Sequence, residues 1–212
     1  YFTVMKYYFL LIFILMLIVG CSSTKNAVRK SFSEKEAKLI MNADSSNPMR
    51  VYKINSKKDS LLLRTKSSYI KPNPKDPILR NFVKRLYATV RDSMSMGVGI
   101  AAPQVGILKN IIWVQRFDKV NFPFEVYLNP KIVSYSEEKQ TLNEGCLSIP
   151  DRTETLNSRS YAITIEYDTM NAEHKSEIVN SFTSVVFQHE IDHLNGILYL
   201  DHLQKDMRDI EQ

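Results

Sequence analysis

The chain has 212 residues with a formal net charge of +5, and 44% of its residues are hydrophobic and 24% charged. That mixture excludes a wholly disordered chain, a collagen-like repeat and a polytopic membrane protein. The positive bias comes without a long basic block, so nucleic acid is not an expected partner. Two cysteines, Cys21 and Cys146, could make at most one bridge, which excludes a disulfide scaffold.

Along the chain, the first feature is an uncharged aromatic and aliphatic run from Tyr7 to Val19, behind Met5-Lys6 and ahead of Gly20-Cys21-Ser22-Ser23. As a helix it would span about 20 Å, short of the ~30 Å hydrocarbon core of a bilayer. Its basic front and small-residue end are those of a secretory signal over residues 1–20. Ile18-Val19-Gly20-Cys21 resembles the lipobox of a bacterial lipoprotein, in which the cysteine is acylated. The expected partner is then a membrane, through a lipid on Cys21, and the expected location is the bacterial cell envelope. A non-functional leader would leave the protein cytoplasmic. Residues 21–48 are dominated by Ser, Lys, Asn and Glu and are expected to form a polar tether, with a short helix within Ser31–Met41.

From residue 49 to 212 the pattern is that of a folded domain. Asp76 followed by Pro77 is a helix start. Ile78, Leu79, Phe82, Val83, Leu86, Val90 and Met94 recur at helical spacing, predicting a helix over 77–95 ended by Gly97. Apolar β-branched runs follow at Ile107–Phe117, Phe124–Ser134, Tyr161–Asp168 and Ser176–Val179. A second helix is expected over Ser181–Leu194, closed by Asn195-Gly196, and Ile197–Leu200 could add a strand. Helices before and after a mainly antiparallel sheet make an α+β domain.

The second helix carries His189-Glu190-Ile191-Asp192-His193. Positions i and i+4 share a helix face, so both imidazoles can reach one cation, with Glu190 beside them to handle a proton. A catalytic centre needs a third ligand and an open position. The downstream histidine that some metalloproteases use for this purpose is replaced by Tyr199. Upstream, Glu144-Gly145-Cys146-Leu147-Ser148 offers Cys146, whose thiolate would suit a soft divalent ion. A third segment, Gly97-Val-Gly-Ile-Ala-Ala-Pro-Gln-Val-Gly106, has small residues where backbone must approach another group, and lacks the ending of a phosphate loop.

These three segments, in this order and approximate spacing, resemble the motifs of the peptide deformylase family, over Asp59 to about Leu203 and including Leu62-Leu63-Arg64. The leader and tether depart from the usual family pattern, and so does Asp151-Arg152-Thr153-Glu154 at the substrate rim. The resemblance implies antiparallel sheets around a C-terminal metal-binding helix, with an earlier helix packed outside. It implies a divalent metal on Cys146, His189 and His193, Fe(II) in the cell with Zn(II), Ni(II) or Co(II) as substitutes. The implied reaction removes the formyl group from formyl-methionyl peptides. Glu190 would serve as general base and then acid, the Leu147 N–H and the Gln104 amide would meet the oxyanion, and the Gly99 carbonyl would hold the formamide N–H. Val185 and Val186, one turn before His189, can wall an apolar pocket, and the resemblance adds Val98, Leu142 and Phe182 for a methionine side chain. Rival readings are an envelope zinc metallopeptidase, a hydrolase of another N-acyl amine, and a non-catalytic metal-binding lipoprotein.

Overall fold

The computed structural model describes residues 31–93 and 96–203. The expected signal, Cys21 and the first part of the expected tether lie outside the described residues. From Ser31 onward the described chain forms one compact unit.

Four helices, α1 (Glu34–Met41), α2 (Lys57–Leu63), α3 (Pro77–Val90) and α4 (Ser181–Leu194), accompany seven strands. The strands are β1 (Gly99–Ala101), β2 (Ile111–Gln115), β3 (Phe124–Tyr135), β4 (Lys139–Cys146), β5 (Ile149–Ser160), β6 (Ala162–Asp168) and β7 (His174–Asn180). Five of them form an antiparallel sheet in the order β1-β2-β3-β6-β7, and β4 and β5 pair as a separate antiparallel hairpin. The α+β expectation holds.

Strand alternation distributes the core to both faces of the large sheet. On β2, Ile111 and Trp113 face the cluster that holds Leu79, Phe82 and Leu86 of α3. Ile112 and Val114 face the cluster that holds Val186, Phe187 and Ile191 of α4. This two-sided use of one strand is the period-2 consequence of the pleat. It sandwiches the sheet between an outer helix and the helix that bears the metal-ligand motif.

α4 occupies the predicted range, and Asn195 caps it before Gly196 at φ 74. α3 starts as predicted, with the Asp76 carboxylate accepting from the Ile78 and Leu79 N–H groups, but it stops at Val90 rather than at 95. The Arg91 N–H turns back to Tyr87 O and Thr89 O, and Gly97 closes the end from a distance by donating to Val90 O at 3.0 Å. The expected strand at Ile197–Leu200 is absent. Ile197 and Leu198 are irregular and residues 199–203 are helical, with the Asp201 carboxylate in the first turn reaching back to accept from the Leu198 N–H, one half of a capping box.

The tether expectation is corrected over residues 31–48. Ser33 and Glu36 form a capping box on α1, and Phe32 and Ile40 are buried. Phe32 meets Phe82 edge-on at 5.9 Å. The buried Arg85 of α3 donates to Ile40 O at 2.9 Å, Leu39 O at 3.1 Å and the Asn42 side chain at 2.7 Å. One guanidinium thus satisfies the carbonyls that the end of α1 leaves open. Among the described residues, no helix is long and apolar enough to cross a membrane.

Candidate active site

The polar hairpin β4–β5 turns at Leu147 and Ser148, and this turn brings Cys146 against α4. Cys146 Sγ lies 3.2 Å from His193 Nε2. The ligand atoms of Cys146, His189 and His193 all fall within 4.8 Å of one another, close enough to share one cation. The expected convergence of the three residues is present, although 42 residues of chain lie between Cys146 and His189.

His189 is oriented from behind. Its Nδ1 lies 2.9 Å from Glu144 Oε2, so Nδ1 carries the proton and Nε2 is left for a cation. Glu144 is in turn gripped by Arg159, through Nε at 2.7 Å and Nη2 at 3.0 Å. Arg159 also donates to Asp192 at 2.7 Å, and Asp192 accepts from His202 at 2.8 Å. Burial alone would raise the Glu144 carboxyl, but His189 and Arg159 hold it down at about 2. The sequence motifs contained Glu144, yet nothing local signalled its role or that of Arg159, Asp192 and His202. Only a search for carboxylates able to serve the outer nitrogen of a ligating histidine could have suggested it.

The donor set fits a metal ion. Burial works against a charged sulfur, but His193 and His189 beside it hold the Cys146 thiol well below its ordinary range. A thiolate and two imidazoles suit a soft or borderline divalent cation. Burial likewise pushes the Glu190 carboxyl up, to about 7, even though both histidines favour its charged form. Glu190 Oε2 is buried with no hydrogen-bond partner among the described residues, as a group awaiting a proton from the reaction would be.

The opposite wall is β1 and the short 3-10 turn Ala102–Val105 after it. Gly99 is there because of Glu190: a Cβ at that position would lie 2.5 Å from Glu190 Oε1. Gln104 is buried and held by its own carbonyl, Oε1 accepting from the Ala101 N–H at 2.8 Å. That bond fixes which end of the amide points inward. Nε2 faces Cys146 Sγ at 3.6 Å and the Ser148 hydroxyl at 3.3 Å. A donor is therefore aimed beside the ligand cluster, where an oxyanion would form.

These groups border a cleft of about 620 Å³. Val98, Phe182, Val185 and Val186 from the expected methionine pocket line it, and so do Gly99 and Leu147. Phe182, Val185, Val186, His189 and His193 follow one another at helical spacing on a single face of α4. Leu142 lies opposite Leu156 in the hairpin and shares a face of β4 with Glu144 and Cys146. Tyr199 is not a ligand. Its hydroxyl donates to Arg152 O at 3.1 Å, and its ring stacks beside His189 at 6.0 Å.

Fold and site together define a hydrolase built around a single divalent metal, with a buried carboxylate for proton transfer and an amide donor for an oxyanion. The family profile for polypeptide deformylase matches residues 50–209. Peptide deformylase from Rhizobium meliloti is 35% identical over 149 residues, 64% of this chain and 84% of the relative. Peptide deformylase 2 from Bacillus subtilis is 42% identical over 113 residues, 52% of this chain and 61% of the relative. Among solved structures, the class I type b peptide deformylase of Acinetobacter baumannii with Met-Ala-Ser bound superposes with TM-score 0.65 at 30% identity, covering 74% of this chain and 99% of that one. The Thermotoga maritima peptide deformylase gives 0.64 at 29% identity, covering 74% and 97%. The chain belongs to the peptide deformylase family.

Proposed function

We propose that the chain hydrolyses the N-formyl amide of formyl-methionyl peptides, releasing formate and a free amino terminus. The observation that carries this reading is the meeting of Cys146, His189 and His193 with Glu190 on one side and the Gln104 amide on the other. A divalent ion held by the sulfur and the two imidazoles would polarise the formyl oxygen and acidify water. The family resemblance points to Fe(II) in the cell, and the thiolate–imidazole set could equally hold Zn(II), Ni(II) or Co(II).

The protein's own groups do the rest. Glu190, buried and close to neutral pH in its titration, takes a proton from the attacking water and returns it to the departing amine nitrogen. Gln104 Nε2 and the Leu147 N–H donate to the oxygen on which charge develops. The Gly99 carbonyl accepts the formamide N–H and so sets the plane of the bond being cut. Val98, Phe182, Val185 and Val186 enclose the methionine side chain and position the formyl carbon by burying apolar surface.

The test is formate release from formyl-Met-Ala-Ser by the iron-loaded protein, with acetyl-Met-Ala-Ser and unblocked Met-Ala-Ser alongside. Formate from the formyl peptide alone is expected. Glu190→Gln should keep the bound metal and lower kcat by about 10²–10⁴, the usual contribution of a positioned acid–base group. Cleavage of the unblocked peptide would favour a metallopeptidase.

The export reading remains a proposal that rests on sequence, on the apolar run Tyr7–Val19 and the Gly20-Cys21 junction. It puts the enzyme in the bacterial cell envelope, acylated on Cys21. Fatty-acid labelling that survives Cys21→Ser would overturn it.

A further inference from the structure

The two donors assigned to the oxyanion sit on separate pieces of chain. Gln104 belongs to the 3-10 turn Ala102–Val105, and Leu147 to the turn that joins β4 and β5. The β4–β5 register breaks between Gly145 and Cys146, so the ladder loses its hold just before that turn. A third segment, covered by none of the motifs, ties the two turns together. The Tyr52 N–H donates to Gln104 O at 2.7 Å and the Ile54 N–H to Ser148 O at 3.0 Å. Two residues of chain span at most about 7 Å, so this strap limits how far the two carbonyls can part. Between its two bonds, Lys53 lines the catalytic cleft. Ile54 packs on the Ile149 and Leu156 cluster that Cys146 also joins.

The strap is itself anchored. Asp59, in the first turn of α2 and 3% exposed, accepts from Arg50 Nη1 at 2.7 Å and Nη2 at 2.8 Å, and from the Lys53 N–H at 3.3 Å. The Arg50 guanidinium lies over the Tyr52 ring, 4.2 Å from its centroid. That ring presses on the end of the 3-10 turn: a Cβ at Gly106, where φ is 82, would lie 2.7 Å from it. Tyr52 and Ile54 are only half-buried, so burial of apolar surface does not account for how closely the segment is tied.

We propose that Arg50–Ile54 is a positioning strap: the Tyr52 and Ile54 N–H groups hold the Gln104 turn and the hairpin turn at the spacing at which both donors meet one oxygen, and Asp59 anchors the strap. The inference rests on the deformylase reading above. Tyr52, Ile54 and Asp59 touch no reacting atom. They act through Gln104 and Leu147, whose donors meet full negative charge only in the transition state. Loosening the strap should therefore lower kcat and leave KM and metal content alone.

The experiment deletes one hydrogen-bond donor. The α-hydroxy analogue of tyrosine, placed at position 52 of the full chain, puts an ester oxygen where the N–H was and keeps the ring. On formyl-Met-Ala-Ser, kcat per metal-loaded molecule should fall about 10–100-fold, below the loss of a whole oxyanion donor, with KM within about twofold of wild type. Tyr52→Phe, which keeps both the N–H and the ring, should recover the rate. Asp59→Asn releases Arg50 while sparing both strap N–H groups, and should give the same kcat-selective loss at about two- to tenfold. It decides the matter if the ester variant does not fold. A lowered unfolding midpoint with wild-type kcat per metal-loaded molecule, in either variant, marks a purely structural segment and overturns the proposal. So does a loss that appears as raised KM or missing metal, because the strap then serves the pocket or the ligands. Absence of turnover by the wild type overturns the deformylase reading and the strap with it, whereas wild-type turnover with unimpaired variants overturns the strap alone.

Discussion

Two arginines, Arg159 and Arg116, are buried to nearly the same degree, and each is neutralised by carboxylates. Their surroundings differ in what they hold still. Arg159 grips both oxygens of Glu144, and one of them, Oε2, also orients the metal-ligating His189, so its charge acts one step from the reacting atoms. Arg116 grips Asp118 and Glu177, donates to the Tyr127 hydroxyl at 2.6 Å and lies over the Phe187 ring, so its charge shapes a turn and braces the core side of α4. The partners differ too. Glu144 is 5% exposed, whereas Asp118 is 22% and Glu177 25% exposed. A buried ion pair that leaves both partners dry is unforgiving of half its removal, while one that reaches water can relax.

The largest effect should follow from breaking the dry pair. Arg159→Leu strands Glu144 in the interior, which typically costs about 3–5 kcal/mol of stability. It should also weaken metal binding about 10–100-fold by loosening the group behind His189. Chemical unfolding and metal titration of the variant check both numbers, and normal metal affinity would detach the Arg159 network from the site. Arg116→Leu is the counterpart. Its stranded carboxylates reach water, so the expected loss is smaller, about 1–3 kcal/mol, with metal content unchanged. A fall in metal affinity as large as that of Arg159→Leu would erase the distinction between the two regions.

The smallest effect is in the acid response. The hydrogen bond from Arg116 holds the Asp118 carboxyl below its ordinary value of 3.8. A depressed carboxylate stabilises the fold in full above that value and loses its contribution as the pH falls from there through its lower folded pKa. Asp118→Asn should therefore be less stable than wild type at neutral pH, and the difference should shrink as the pH drops below about 4. Unfolding midpoints from pH 7 to pH 3 measure this, and a gap that widens towards acid would reverse the sign.

Much of the site was readable because it is local. His189, Glu190 and His193 lie within one stretch of helix, and α4 came out over the predicted residues. Cys146 was readable as a third ligand from its short motif, and Gln104 and Gly99 only through the family resemblance. The hairpin that delivers Cys146 was not, since Lys139–Cys146 and Ile149–Ser160 carry few apolar residues to alternate. Phe32 and Ile40 show the complementary failure. Two isolated apolar residues in a polar stretch look like a tether until α3 supplies a surface and Arg85 a cap.

The amino-acid order by itself determined the helix that pairs the imidazoles, the carboxylate between them and the α+β class, because 3.6-residue and 2-residue periods are properties of neighbouring positions. The tertiary structure alone decided that a sulfur and Glu144 meet those imidazoles, that an amide nitrogen faces the sulfur, and that Arg159 and Arg116 end in different company. Those are contacts through space between residues far apart in the chain, settled only when the hairpin, the sheet and α4 close on a common core.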